Sequence, residues 1–81
     1  MNLEIAILEV LEAIHPRLEK QAVIVADVKN SRVKSPTTAD VERALSKLEN
    51  KRHVVGVSNE DTGAKWKVTD SGIARLVEFR S

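Results

Sequence analysis

The fold is decided by residues 54–68, which read VVGVSNEDTGAKWKV. At both ends of this stretch, apolar side chains occupy every second position, whereas the flanking segments repeat every three to four residues. Residues 59–63, between the two alternating runs, are turn formers, and Gly63 can adopt a positive φ. The pattern predicts two strands that close as an antiparallel hairpin over residues 54–68.

The segment before the hairpin, residues 37–51, is predicted to be a helix. Thr37 supplies a hydroxyl cap after Pro36, and Asp40 follows three residues later as in a capping box. The apolar residues that recur at helical spacing and mark the buried face are Val41, Ala44, Leu45 and Leu48.

Two further helices are predicted upstream. The first covers Leu3 to Ile14, with Asn2 as its cap and Pro16 forcing its end near His15. The second covers residues 18–30, with its buried face at Leu18, Ala22, Val25 and Val28. The β-branched residues 23–25 would also suit a strand, but strict alternation is missing, so the pattern favours a helix.

A last short helix is predicted after the hairpin. Thr69 is its expected cap, Asp70 lies near its positive end, and its apolar side is formed by Ile73, Leu76, Val77 and Phe79. Trp66 lies between two lysines of the second strand, so we expect it to point inward as a core anchor together with Phe79. The sequence thus predicts a single α+β domain over residues 1–81.

Composition agrees with a small packed domain. Of the 81 residues, 42% are apolar and 31% charged, and the chain contains no cysteine. Apolar packing must therefore supply the stability without disulfides or thiolate metal sites. No apolar run approaches the roughly 20 residues needed to span a bilayer, and no signal peptide is recognisable. We expect a cytoplasmic protein that does not associate with membranes.

The chain carries no motif of an enzyme. It lacks a nucleophile elbow, a phosphate loop, an HExxH sequence and paired catalytic acids. Its two histidines, His15 and His53, have no second ligand at motif spacing, and each is expected to end a helix instead. The sequence predicts no catalytic residue, no metal site and no cofactor.

Charge is unevenly distributed although the net charge is only +1. Residues 1–28 hold two basic and five acidic residues, a net charge of −3. Residues 29–53 hold seven basic and three acidic residues, a net charge of +4, and residues 54–81 are balanced. The basic middle third suits a polyanion, although ordinary solvated helix surfaces also carry such charge.

Two segments resemble a known family. Residues 39–52, ADVERALSKLENKR, look like the recognition helix of MarR-like and PadR-like regulators, although Arg52-His53 replaces the family's usual glycine. Residues 65–72, KWKVTDSG, resemble the second wing strand and the threonine-x-x-glycine helix start of the same family. The resemblance implies a winged helix-turn-helix domain with a three-helix core, a two-stranded wing and a short C-terminal helix.

The resemblance further implies a transcription regulator that binds double-stranded DNA, with helix 37–51 in the major groove and hairpin 54–68 as the wing. Arg43 is the leading candidate for reading a base. The full set of candidate DNA-binding residues is Lys29, Arg32, Lys34, Thr37, Thr38, Arg43, Ser46, Lys47, Lys65 and Lys67.

Acidic residues favour an alternative function. Asp40 and Glu42 lie near the start of the predicted recognition helix, and Glu60 and Asp61 lie at the wing tip. The alternative is a winged helix that binds a protein instead of DNA, with an exposed apolar patch near Ile5, Leu8 or Val77. In either case we expect a monomer or a weak homodimer, the latter through residues 72–80.

Overall fold

The computed structural model describes residues 3–30, 36–61 and 63–81, except for the side chain of Asn59. Its elements in chain order are α1 (Leu3–Glu12), β1 (Glu19–Lys20), α2 (Gln21–Lys29), α3 (Thr38–Asn50), β2 (Val54–Asn59), β3 (Gly63–Val68) and α4 (Asp70–Arg80). The described chain is therefore an α+β domain in which four helices accompany a three-stranded antiparallel sheet of order β1-β3-β2. No helix in these ranges has the length and apolar character needed to cross a membrane.

The hairpin is confirmed, but the sheet has a third strand that the sequence did not predict. Val54 lies opposite Val68, and the register continues to Asn59 opposite Gly63. The additional strand β1 is only two residues long and pairs with β3, with Glu19 opposite Trp66. Two residues are too few to give a recognisable alternation, so only the pairing with distant β3 defines this strand.

This third strand changes the predicted second helix. Because residues 19–20 are extended, α2 begins at Gln21 and not at Leu18. It buries Ile24, Val25 and Val28, whereas Leu18 remains 41% exposed. The prediction of a helix was right, but the placement of Leu18 and Ala22 on its buried face was wrong, since Ala22 is exposed as well.

The two faces of the hairpin differ in burial. On the inner face, Val54 and Val68 are buried against the helices. On the opposite side lie residues that we call the outer sheet face: Lys20, Val55, Val57, Lys65 and Lys67. Lys20 belongs to it because residues directly opposite each other in an antiparallel pair point to the same side, and Lys20 is opposite Lys65.

Apolar side chains from all four helices and the inner face of the sheet form the core. Those that are at most 2% exposed and have large side chains are Ile5, Ile7, Leu8, Leu11, Ile24, Val28, Val41, Leu45, Leu48, Val54, Val68 and Leu76. Each such side chain contributes roughly 1.5–3 kcal/mol through removal of apolar surface from water. This core fixes the position of α3 against α1 and β2.

The aromatic residues are less buried than predicted. Trp66 packs against the core from the inner face, but it is only partly buried, and its indole N–H donates to Gln21 Oε1 at 3.1 Å. Phe79 is 48% exposed and Val77 is 57% exposed, so α4 buries Leu76 but not these two residues. The predicted pairing of Trp66 and Phe79 as buried core aromatics was therefore wrong for Phe79.

The predicted helix starts are confirmed for α3 and α4. Thr37 Oγ1 accepts from the Asp40 N–H at 3.1 Å, and Asp40 Oδ2 accepts from the Thr37 N–H at 3.0 Å, which completes a capping box. At α4, Thr69 Oγ1 accepts from the Gly72 N–H at 3.1 Å. Helix α1 ends at Glu12, earlier than the predicted limit at His15. Its predicted cap, Asn2, lies outside the described residues.

Helix α3 ends at a left-handed residue that is not glycine. Arg52 has φ 63°, its N–H donates to the Glu49 carbonyl, and the His53 N–H donates to the Leu48 carbonyl, both at 2.9 Å. These two bonds define a Schellman ending, which normally places glycine at the left-handed position. Arg52 therefore occupies a backbone conformation that costs an L-residue about 1 kcal/mol.

We expect Arg52→Gly to stabilise the domain by about 1 kcal/mol, because glycine adopts this conformation without the steric cost. Urea unfolding followed by circular dichroism measures the change. The matched control is Lys51→Gly, one residue earlier at φ −84°. Glycine relieves no strain there, so the control should be destabilised by roughly 0.5–1 kcal/mol. If Arg52→Gly were no more stable than the wild type, the left-handed backbone of Arg52 would carry no strain.

Candidate nucleic-acid interface

The solvent side of α3 carries a narrow row of side chains. Ala39, Arg43, Ser46 and Asn50 are spaced by four, three and four residues, so they follow one line along the helix, and all four are exposed. We call this row the α3 stripe. Lys47 is exposed beside it. The stripe combines a small residue, which permits close approach, with guanidinium, hydroxyl and amide groups that suit the edges of bases.

Of the three polar members of the α3 stripe, the sequence predicted two as DNA contacts and missed one. Arg43 and Ser46 were candidates, whereas Asn50 was not. The signal for Asn50 was present, because it lies seven residues after Arg43 on the same face of the predicted helix. Asparagine can bond adenine through two atoms, so its place in the stripe adds a second side chain able to read a base.

Arg43 is held by an ion pair within α3. Its Nη2 contacts Asp40 Oδ1, and the Arg43 side chain remains 73% exposed. Exposed pairs of this kind contribute about 0–1 kcal/mol, so a stronger acceptor can replace the carboxylate at small cost. The pair therefore orients Arg43 without preventing it from binding a ligand.

Both acids at the start of α3 have partners within the protein. Asp40 completes the capping box and pairs with Arg43, while Glu42 Oε1 accepts from Gln21 Nε2 at 3.2 Å. Since Gln21 Oε1 also accepts from the Trp66 indole, a chain of hydrogen bonds links α3, α2 and β3. Both carboxylates would repel a polyanion, but each also makes a hydrogen bond or ion pair within the protein.

The backbone N–H of Thr37 lowers the pKa of Asp40 below its ordinary value, and hydrogen bonds from the Arg43 and Thr37 side chains lower it further. A lowered pKa in the folded state means that this carboxylate stabilises the fold above its unfolded pKa, about 3.9. That contribution is lost as the pH falls through the folded pKa. The α3 capping box is therefore acid-sensitive.

We expect Asp40→Asn to be less stable than the wild type at neutral pH but to differ less from it in acid. Asparagine can still accept the Thr37 N–H, so the variant removes the charge and its titration. The urea midpoints of both proteins, measured near neutrality and at about pH 3, give the comparison. The same difference at both pH values would show that the Asp40 charge does not stabilise α3.

An open groove at the junction of α2 and α3 brings three predicted residues together. Lys29, Pro36, Thr37 and Thr38 line this groove, whose volume is about 460 Å³. It combines an ammonium group with two threonines at the amino end of α3, where the helix dipole favours an anion. The groove suits a phosphate. Arg32 and Lys34, also predicted to contact phosphates, lie outside the described residues.

Lys47 and Arg43 border a second groove, on the side of α3 that faces the start of α1. Leu3, Glu4, Asp40 and Ala44 complete its lining, and its volume is about 410 Å³. The groove thus holds two acidic and two basic residues, and Lys47 adds positive charge only at the border of the α3 stripe.

The two predicted wing lysines lie on a different surface. Lys65 and Lys67 belong to the outer sheet face, where Lys20 lies directly opposite Lys65. Like charges in directly opposite positions destabilise a strand pair, so these lysines favour the approach of an anion. Sequence reasoning missed Lys20 because it did not predict β1. At the tip of the β2–β3 hairpin, Glu60 and Asp61 are exposed acids.

Metal chemistry has no support in the described ranges. They contain no group of three or more His, Cys, Asp or Glu side chains arranged to hold an ion. His53 Nδ1 is buried and has no hydrogen-bond partner in the described part of the chain. The interface offers hydrogen-bonding and cationic groups suited to recognition.

No protein-family model, curated protein or solved structure matches the chain. The resemblance to winged-helix regulators therefore rests on the sequence of residues 39–52 and 65–72.

Proposed function

We propose that this chain is a winged helix-turn-helix domain that binds double-stranded DNA and regulates transcription. In this proposal α2 and α3 form the helix-turn-helix, β2 and β3 form the wing, and α3 enters the major groove. The order of three helices, a hairpin and a closing helix supports the assignment. The observation that carries it is the α3 stripe, together with the open α2–α3 groove lined by Lys29, Thr37 and Thr38.

The chemistry of the α3 stripe fits direct base reading. The major groove is about 12 Å wide and admits one helix. Arg43 would bond the O6 and N7 atoms of guanine, and Asn50 the N6 and N7 atoms of adenine. Ala39 and Ser46 allow the helix backbone to approach between them. Sequence preference would therefore come from α3.

Phosphate contacts would come from neighbouring groups. Lys29, Thr37 and Thr38 line the groove at the start of α3, from which a phosphate oxygen could accept both N–H and O–H bonds. Lys47 would add a contact beside the α3 stripe. The lysines of the outer sheet face would add longer-range attraction that weakens with salt.

A single-variant series tests the roles of these residues. Arg43→Ala should change the preferred sequence in a binding selection and cost about 1–3 kcal/mol on the best site. Lys29→Ala should weaken binding to all sequences and reduce the salt slope by about 0.9. Fluorescence anisotropy at several salt concentrations measures both effects.

The matched control is Arg17→Ala, which removes an exposed arginine from the turn between α1 and β1. It removes the same charge as Arg43→Ala but lies outside the α3 stripe and the α2–α3 groove. If Arg17→Ala and Arg43→Ala change affinity and sequence preference equally, Arg43 reads no base.

The exposed side of α4 favours a second candidate function, protein binding. Val77 is 57% exposed, as the alternative predicted, but Ile5 and Leu8 are buried and cannot form a patch with it. Phe79 of α4 is exposed as well, but it lies two residues from Val77, so the two side chains do not share a helix face. Single exposed apolar side chains are ordinary for a protein surface. DNA binding is the better-supported proposal.

A further inference from the structure

The sheet has one long edge, formed by β2. The strand order β1-β3-β2 leaves β2 with a single neighbour. The Thr69 N–H donates to the His53 carbonyl at 3.0 Å, so His53 and Thr69 form a hydrogen-bonded pair of the antiparallel ladder. Such pairs recur at every second residue, so the backbone groups of Val55 and Val57 also face β3. By alternation, the backbone groups of Val54, Gly56 and Ser58 point away from β3. Val54 is only 2% exposed, so Gly56 and Ser58 are the two that a partner strand can reach. No hydrogen bond reaches them from elsewhere in residues 3–30, 36–61 and 63–81.

This edge lacks the features that usually prevent strand addition. Natural edge strands are blunted by lysine, proline, bulges or very short length. Residues 54–58 contain no charge and no proline, and their pairing with β3 is uninterrupted. The opposite edge, β1, is protected because it has only two residues and carries Lys20.

The side chains beside the edge are also apolar. Val55 and Val57, both on the outer sheet face, are 39% and 49% exposed. A strand added beside β2 would bury both of them. The edge thus offers main-chain hydrogen bonds at Gly56 and Ser58 and apolar contacts at Val55 and Val57.

A second copy of the same strand fits this edge. We propose that two copies of the chain pair antiparallel through β2, with the two-fold axis at Gly56. Gly56 of each copy then lies opposite Gly56 of the other, and Val55 lies opposite Val57. All four valines meet on the outer sheet face, whereas shifting the register by two residues leaves one valine of each copy without a valine opposite it.

Charge permits this pairing. The lysines nearest the axis, Lys65 and Lys67, lie on β3. Three strand spacings separate β3 of one copy from β3 of the other, about 14 Å. This exceeds the Debye length of about 8 Å at physiological salt, so repulsion between the copies is weak. The resulting six-stranded sheet ends in the short strand β1 on both sides, so pairing stops at the dimer.

The first test uses the absence of cysteine in the chain. In the proposed register, positions 55 and 57 face each other in a non-hydrogen-bonded pair with Cα atoms about 4.5 Å apart, which a disulfide can bridge. An equimolar mixture of Val55→Cys and Val57→Cys should therefore form a mixed disulfide dimer under mild oxidation. Either variant alone should cross-link much less. Equal cross-linking of the mixture and the single variants, or none at all, would overturn the register.

The second test measures the oligomeric state without DNA, so it does not depend on the proposed function. Light scattering should show a dimer that dissociates on dilution. Val57→Lys should raise the dissociation constant at least about tenfold, because two lysines would lie next to the axis. The matched control Val77→Lys places the same charge on α4 and should leave the constant unchanged.

Circular dichroism checks that both lysine variants remain folded. A wild-type monomer at about 1 mM, or equal weakening by Val57→Lys and Val77→Lys, would overturn the proposal. If the wild type is a monomer, any strand that binds to the β2 edge would have to come from another protein.

Discussion

Gly72→Ala should destabilise the domain by about 3 kcal/mol, a large part of the stability of a domain this small. A Cβ atom at this position would lie 2.2 Å from the carbonyl oxygen of His53 and 2.7 Å from Val68 Cγ2. The carbonyl accepts the Thr69 N–H at the end of the hairpin, so it cannot move without disturbing the β3–α4 junction. Urea unfolding measures the loss.

Gly63→Ala is the matched control for this prediction. Gly63 has φ 74°, but a Cβ atom there would meet nothing within 4 Å. The control therefore isolates backbone strain, about 1 kcal/mol, from steric overlap. If Gly72→Ala cost no more than Gly63→Ala, the close contact between α4 and His53 would be wrong.

Leu45→Ala should be similarly damaging. Leu45 is fully buried in the middle of α3, and removal of such a side chain costs about 2–5 kcal/mol because the cavity closes only partly. The same substitution at Leu18, which is 41% exposed, should cost about 1 kcal/mol or less.

Comparing Leu45→Ala with Leu18→Ala also tests the structure against the sequence-based prediction, which placed both leucines on buried helix faces. Thermal or urea unfolding gives both free energies. Comparable losses at Leu18 and Leu45 would indicate that the chain from Leu18 to Lys20 packs as helix and not as the approach to β1.

Local signals predicted α3, the hairpin and α4 from the sequence. The Thr37 and Thr69 caps use residues only three positions away, so the information lies within one short window. Strand β1 could not be predicted in this way. It forms because it pairs with β3, more than forty residues later in the sequence. Because residues 19–20 are extended in this pairing, α2 starts at Gln21.

The candidate interface was predictable to a similar extent. Helical spacing placed Arg43, Ser46 and Asn50 on the solvent side of α3, but Asn50 was not among the predicted DNA contacts. The bond between Gln21 and Glu42 depends on how α2 packs beside α3, which no local pattern contains. Likewise, Lys20 lies beside the lysines of β3 only because β1 pairs with β3.

We propose that duplex DNA binds to the exposed side of α3. The most direct measurement is a titration of ¹⁵N-labelled protein with a duplex of arbitrary sequence at low salt, followed by the amide resonances. We expect the largest shifts at Lys29 and between Thr37 and Asn50, with little change in the buried part of α1. No shifts with DNA at about 1 mM, or shifts confined to α4, would contradict the claim.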